Sequence, residues 1–152
     1  NVEELFESLR AKRYMLDAVP RHWKVMFPEV PPTIGRISHL DRFDAGFFDV
    51  HRYQANGMDP GSRKLLEKSV EALLDSGTNP DSLRGSATGV FMANGLFNEC
   101  EEYLLYQDLS SPHFGITGGT RSMHAQRVSY FLGLEGPVVN VDTACSSSFY
   151  AL

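Results

Sequence analysis

Cysteine is scarce in this sequence, and several other patterns are missing altogether. The two cysteines, Cys100 and Cys145, are far apart and form no Cys-x-x-Cys pair, so neither a disulfide framework nor a zinc site is predicted. No apolar run approaches the length of a membrane span, and the N-terminal residues have neither the basic head nor the apolar core of a signal peptide. We therefore expect a reducing, cytoplasmic setting and no membrane partner.

Basic side chains are also few. The 152 residues carry 14 Lys and Arg against 19 Asp and Glu, a net charge of −5, and no basic run is interleaved with aromatic residues. We therefore expect no nucleic-acid partner. The remaining composition, 42% hydrophobic and 22% charged without repeats or low-complexity segments, is ordinary for a globular protein. It predicts one domain with a substantial core.

The most informative segment is residues 139–150, which places one cysteine between an apolar run and a cluster of small residues. Valines that follow Gly136-Pro137 predict a short buried strand running into Asp142. Residues 143–148 carry no bulky side chain, so the backbone can bend sharply there and a helix can begin at Cys145. The pattern predicts a strand, a tight turn and a helix, with the thiol at the turn.

A cysteine at such a turn faces the positive end of the helix, which favours the thiolate, and the thiolate is the nucleophilic form. The backbone N–H of Cys145 can also point at an oxyanion. We therefore predict that Cys145 is a nucleophile. Two structural alternatives stay open: Cys145 as a buried small hydrophobe, and the following serines as a polar loop.

Elsewhere the pattern predicts helices and strands in alternation. The first elements in chain order are a helix over residues 2–13 and a loop over 19–40 held by Trp23 and Phe27. A helix then runs from the cap Asp59 and Pro60 to Ser76-Gly77, and a buried strand follows from Thr88 to Met92. The last elements are a helix with Glu99, Tyr103 and Leu104, a break at Ser110-Ser111-Pro112, and a helix from about Gly119 to Leu132 that ends at Gly133. The order strand, helices, strand implies parallel pairing of the two strands.

Residues 141–148, Val-Asp-Thr-Ala-Cys-Ser-Ser-Ser, resemble the active-site motif of β-ketoacyl synthases, the condensing domains of fatty acid and polyketide synthases. The resemblance covers nearly the whole chain, and the further segments similar to that family, in the same order, are residues 43–48, 58–60, 63, 65–67, 80–86, 88–91, 117–118, 127–131 and 134–137. In detail, His51 and residues 54–56 and 58–60 are most similar to the animal and insect type of fatty acid synthase.

The resemblance implies an α/β, thiolase-like fold with a layered, mostly parallel sheet. Residues 1–152 would then be a partial β-ketoacyl synthase N-terminal domain, an incomplete first half truncated at both ends. It implies that Cys145 takes an acyl chain from the phosphopantetheine of an acyl carrier protein in the same polypeptide and condenses it with a malonyl thioester. Two histidines, a lysine and a second oxyanion donor would follow Leu152. A homodimer is implied, with no directly bound cofactor and no metal.

Three departures from the family pattern concern the surroundings of the site. Gly61 stands where Gln is usual, and Val138 stands where Ser is usual. Arg52-Tyr53 replaces a turn that contains proline, which predicts a variant loop. Acyl chain length, and the choice between a fatty acid and a polyketide product, are left open by the sequence.

The other chemically interesting side chains receive structural interpretations. His124 shares a helix with Arg127 and could be imagined as a base for Cys145, but the resemblance places the catalytic histidines after Leu152. The other four histidines, His22, His39, His51 and His113, are likewise interpreted as structural. The remaining structural assignments are Cys100 as a packing or passive surface thiol, Glu99, Glu101 and Glu102 as solvent-facing acids, Arg121 and Arg127 as ion-pair partners or dimer contacts, and Gly118-Gly119 as too short for a phosphate loop.

Two other functions remain open at this point. The chain could serve as a non-catalytic binding or dimerisation module, since the family pairs its subunits near the nucleophile strand. A cysteine hydrolase is disfavoured, because no His or acid motif typical of that class is recognisable.

Overall fold

The computed structural model describes residues 2–18, 32–93 and 115–152. The chain divides into two compact units, Asn1–His39 and Leu40–Leu152. The loop residues 19–31, the helix predicted around Glu99 and the break predicted at residues 110–112 lie outside the described residues. No helix within the described ranges is both long and apolar enough to cross a membrane.

The first unit begins with helix α1, Val2–Arg10, whose first turn carries Glu3 and Glu4 and whose last turn carries Arg10. The acidic residues at the first turn and the basic residue at the last turn both interact favourably with the helix dipole, as the sequence predicts. The prediction extends this helix to residue 13, whereas it ends earlier. The cause is a left-handed backbone at Lys12, with φ of 51°, which breaks the helical path.

The first unit also contains a short antiparallel ladder. Strand β1, Asp17–Ala18, pairs with strand β2, Thr33–Ile34. Across the ladder, the hydroxyl groups of Tyr14 and Thr33 are hydrogen-bonded at 3.0 Å. The prolines of residues 19–40 predict little regular structure there, so β2 is a correction: paired backbone groups form a strand despite the surrounding prolines.

The second unit is built from helices and two parallel strands. In chain order it contains α2 (Arg52–Asn56), α3 (Pro60–Asp75), β3 (Val90–Ala93), α4 (Gly115–Gly119), α5 (Met123–Leu132), β4 (Val138–Val141) and α6 (Ser147–Ala151). Helix α2 replaces the variant loop expected at Arg52-Tyr53. The Arg52 guanidinium there lies 4.7 Å above the ring centre of Tyr53, a cation–π contact within the first turn.

Helix α3 has the ends that its sequence predicts. The Asp59 carboxylate caps it by accepting a hydrogen bond from the Ser62 N–H at 3.1 Å, and Pro60 occupies the first turn. At the other end, Gly77 takes a left-handed φ of 77°. The buried face of α3 presents Leu66 and Val70 to the core.

Strands β3 and β4 pair in parallel, with Val90 opposite Val138 and Ala93 opposite Val141, which confirms the predicted pairing. The expectation that β3 is buried is only half right. Met92 is buried, whereas Phe91 on the opposite face is 53% exposed, because side chains alternate between the two faces along a strand.

The helix predicted from about Gly119 to Leu132 corresponds to α5, which begins later, at Met123, while Gly119 is the last residue of α4. Within α4, the backbone of Gly118 packs directly on Gly57, and the Gly118 carbonyl accepts a hydrogen bond from the Asp59 N–H at 3.0 Å. Helix α5 ends, as predicted, at a left-handed Gly133 with φ of 63°.

One hydrophobic core lies between the helices and the strand pair of the second unit. Helix α5 packs against α3 and against both strands. The buried core residues are Phe48, Met58, Leu66, Val70, Met92, Ala125, Val128 and Leu132. This packing fixes α5 beside β4 and so determines where the chain emerges from the end of the strand.

Candidate active site

Cys145 lies in the turn that joins strand β4 to helix α6. A 3-10 turn covers Ala144–Ser146, and α6 follows at once. The order strand, turn, helix is the one predicted, although β4 ends at Val141 and a 3-10 turn stands where the helix was expected to begin. The thiol of Cys145 is free and exposed, in contrast to the alternative of a buried small hydrophobe.

The sharpest bend of this turn is at Ala144, whose φ of 53° is left-handed. A residue with a Cβ pays about 1–2 kcal/mol for that conformation, so the surrounding contacts have to hold it. The run of small residues predicts a sharp bend in this segment, but nothing in the sequence singles out Ala144.

Side chains of the same segment hold the bent backbone. The Asp142 carboxylate accepts a hydrogen bond from the Ala144 N–H at 3.2 Å. The Ser146 hydroxyl donates to the Thr143 carbonyl at 2.8 Å, and the Ser147 hydroxyl donates to the Ala144 carbonyl at 2.7 Å. Ser146 and Ser147 are therefore structural parts of the turn and not a polar loop.

Two contacts attach the beginning of helix α5 to the end of β4. The Arg121 guanidinium pairs with the second oxygen of Asp142 at 3.2 Å, so one carboxylate serves both the ion pair and the Ala144 N–H. The Asn140 side-chain amide donates to the Ser122 carbonyl at 3.0 Å. The ion-pair interpretation of Arg121 is confirmed. The sequence did not predict this role of Asn140, because nothing in the sequence indicates that a strand residue forms a hydrogen bond to a helix.

His124 lies against the first turn of helix α3. Its Nε2 is 3.8 Å from the Asp59 carboxylate, and its side chain is 12% exposed. Burial lowers the pKa of His124 from its ordinary value, partly opposed by the negative charge of Asp59, while the positive charges of Arg127 and Arg121 lower it further. This position at a contact between two helices agrees with the structural interpretation of His124.

Arg127 is buried, and its hydrogen bond within the described residues goes to a backbone carbonyl. Its guanidinium donates to the Thr117 carbonyl at 2.6 Å. Burial lowers the pKa of Arg127. Arg127 thus ties helix α5 to helix α4 through a backbone group.

The lowered pKa of His124 gives a prediction about stability. The folded protein favours the neutral imidazole of His124. The contribution of His124 to the free energy of unfolding is therefore fully present above its ordinary pKa, and it is lost as the pH falls toward the lower pKa of the folded state. We expect the free energy of unfolding, measured with urea, to fall less between about pH 7 and about pH 5 in His124→Gln than in the unsubstituted protein. The exposed His51→Gln serves as control, and an identical pH dependence in His124→Gln would contradict the prediction.

The sequence model described as "Beta-ketoacyl synthase, N-terminal domain" matches residues 1–152. The chain belongs to the β-ketoacyl synthase family. This ketosynthase chain is 40% identical over 158 residues to a fatty acid synthase from the goose Anser anser anser, covering 100% of the chain and 43% of that relative. It is 42% identical over 157 residues to the polyketide synthase GfsA from Streptomyces halstedii, covering 99% of the chain and 2% of that relative.

Solved structures show the same relationship. The ketosynthase from module 6 of the bacillaene synthase of Bacillus subtilis 168 matches with a TM-score of 0.81 and 29% identity, covering 99% of this chain and 25% of that one. The α/β, thiolase-like fold expected from the resemblance is therefore confirmed. The chain spans less than half the length of each of these relatives.

The remaining candidate residues of this ketosynthase chain fall into two groups. Those outside the described residues are Cys100, Glu99, Glu101, Glu102, His22 and His113. Those within the described residues are His39, His51 and Gly118. Both histidines are exposed, and the backbone of Gly118 is in close contact with Gly57. In the portions of the chain that the structure describes, no group of three or more acidic, His or Cys side chains could hold a metal ion.

Proposed function

We propose that this chain is the nucleophile-bearing part of a longer ketosynthase domain that transfers an acyl chain to Cys145 and extends it by condensation. One observation carries the proposal: an exposed thiol on a strand, turn and helix, at the position of the family's active-site motif. The exposed position lets a thioester approach the sulfur, and a tight turn held by side-chain hydrogen bonds keeps the sulfur in place.

The first half-reaction uses residues of this chain. The Cys145 thiolate attacks the carbonyl carbon of an acyl thioester and gives a tetrahedral oxyanion. The Cys145 N–H would donate one hydrogen bond to that oxygen. When the intermediate collapses, the carbon–sulfur bond of the donor breaks and the acyl group stays on Cys145. The donor sulfur leaves as a thiolate and takes up the proton that the Cys145 thiol released on ionisation.

The second half-reaction lengthens the chain. A malonyl thioester loses CO2, and the resulting enolate attacks the carbonyl of the acyl-Cys145 thioester. The new carbon–carbon bond displaces the Cys145 thiolate and yields a 3-oxoacyl thioester. The resemblance assigns the decarboxylation to two histidines after Leu152, so we propose that residues 1–152 alone do not condense.

The partners follow from the same chemistry. We propose that both thioesters are carried on the phosphopantetheine of an acyl carrier protein in the parent polypeptide, that the domain forms homodimers, and that it works in the cytoplasm. Fatty acid synthesis is the first choice, supported by the goose relative. Polyketide synthesis is the second, supported by 46% identity over 162 residues to "Erythronolide synthase EryA2" of Saccharopolyspora erythraea.

The test is a condensation assay on the full-length polypeptide that contains these residues. Supplied with a long-chain acyl thioester and a malonyl thioester, it should release CO2 and form a 3-oxoacyl thioester two carbons longer. Residues 1–152 expressed alone should form none. Absence of product from the full-length polypeptide would favour the non-catalytic binding or dimerisation module, and product from the isolated segment would refute the assignment of the missing groups.

A further inference from the structure

Both backbone polar groups of Ala144 are held by side chains. Its N–H donates to the Asp142 carboxylate at 3.2 Å, and its carbonyl accepts from the Ser147 hydroxyl at 2.7 Å. The Ser147 N–H bonds to the same carbonyl. A left-handed residue with a Cβ persists only where its surroundings determine it, and here the surroundings fix it from two sides.

Ser147 is the more constrained of these two side chains. It is 4% exposed, in contrast to the exposed serine that follows it. Its hydroxyl accepts a hydrogen bond from the Thr143 N–H at 2.9 Å while donating to the Ala144 carbonyl. Because its one proton and one of its lone pairs are both used in hydrogen bonds, the Ser147 hydroxyl is fixed in both position and orientation. The two backbone groups that it joins lie on either side of the bend.

The Ala144 carbonyl belongs to the same peptide plane as the Cys145 N–H. A trans peptide is planar, and its C=O and N–H point in opposite directions. Because Ser147 draws the carbonyl toward a buried side chain, the Cys145 N–H points the other way, away from Ser147. Among the residues that the structure describes, no acceptor is hydrogen-bonded to that N–H.

We infer that Ser147, assisted by Asp142, is a positioning residue that aims the Cys145 N–H at the oxyanion formed during acyl transfer. The inference rests on the proposed function, in which Cys145 is acylated. Neither side chain needs to touch the substrate. Each acts through the Ala144 backbone, so its loss weakens the stabilisation of the oxyanion without removing the nucleophile.

Two reactions of the Cys145 thiol distinguish a change in the orientation of the Cys145 N–H from a change in the amount of thiolate. Acylation by a thioester passes through an oxyanion, whereas alkylation by iodoacetamide displaces iodide from carbon and forms none. Both reactions use the Cys145 thiolate, so the ratio of their rates is independent of how much thiolate is present. A variant that disturbs only the aim of the N–H lowers this ratio.

The experiment measures both rates at Cys145 in the full-length polypeptide carrying Ser147→Ala. Loss of one oxyanion donor costs about 100- to 1000-fold, and a misaimed donor should cost part of that, so we expect the ratio to fall about 10- to 100-fold. Asp142→Ala, at an exposed position, should lower the ratio in the same direction. Ser147→Thr, which restores a hydroxyl, should recover most of it.

Ser129→Ala is the matched control, because Ser129 is also a buried serine whose hydroxyl bonds a backbone carbonyl, at 3.5 Å from the Leu134 oxygen and away from the turn. It should leave the ratio unchanged. An unchanged ratio in both Ser147→Ala and Asp142→Ala would overturn the inference while leaving the proposed function intact. Failure of the unsubstituted polypeptide to acquire an acyl group on Cys145 would overturn the proposed function itself.

Discussion

Replacing Cys145 by alanine is expected to lower acyl transfer to the full-length polypeptide by at least about three orders of magnitude. Cys145 is the exposed thiol at the turn after β4, and alanine there removes the sulfur while fitting the space that the backbone provides. A hydrogen-bonded turn without a nucleophile can still bind a thioester but cannot form the covalent intermediate. The rate of acyl incorporation, followed with a labelled long-chain acyl thioester, measures the effect.

The control for this substitution is the second cysteine of the chain. Cys100→Ala should leave acyl incorporation largely unchanged, since no part of the family's motif includes Cys100. The comparison also tests for general damage, because both variants lose one thiol. Equal losses in the two variants would contradict the choice of Cys145.

A large loss of stability is expected for Gly118→Ala. An alanine Cβ at this position would overlap the Gly57 carbonyl oxygen and lie 2.6 Å from the carbonyl carbon, far inside van der Waals contact. Both are backbone atoms, so no side chain can rotate away. The Asp59 N–H, bonded to the Gly118 carbonyl at 3.0 Å, holds the two segments together. We expect a loss of about 3 kcal/mol in the free energy of unfolding, at the upper end for overpacking.

The measurement is urea unfolding of the full-length polypeptide, with the fluorescence signal compared between variants. Gly46→Ala is the matched control, since its nearest neighbour would be a side-chain oxygen of Asp44 at 3.5 Å, an ordinary contact. We expect Gly46→Ala to change stability by less than about 0.5 kcal/mol. A similarly small effect of Gly118→Ala would show that the two segments are not packed as described.

Local sequence signals predicted the ends of several elements well. Asp59 followed by Pro60 marks the start of α3, and Gly133 marks the end of α5, because capping and left-handed glycine depend on neighbours along the chain. The parallel pairing of β3 and β4 followed from the helices between them. The turn at Cys145 was predictable for the same reason, since a run of small residues after valines is a local pattern.

Features that depend on distant contacts could not be predicted. The close contact of Gly118 with Gly57 is one example, because nothing in the periodicity of the helix signals a partner so far along the chain. The left-handed Ala144 and the buried hydroxyl of Ser147 are similar cases, since three adjacent serines look alike in sequence. Only the fold distinguishes the buried Ser147 from the exposed Ser148.

The central claim is that Cys145 is the acyl acceptor, and peptide mapping tests it most directly. The full-length polypeptide is incubated with a long-chain acyl thioester, without a malonyl thioester so that the acyl group stays in place, and its peptides are then analysed by mass spectrometry. The account predicts the mass of the acyl group on the peptide that contains Cys145. An acyl group on Cys100 instead, or an unmodified Cys145, would contradict it.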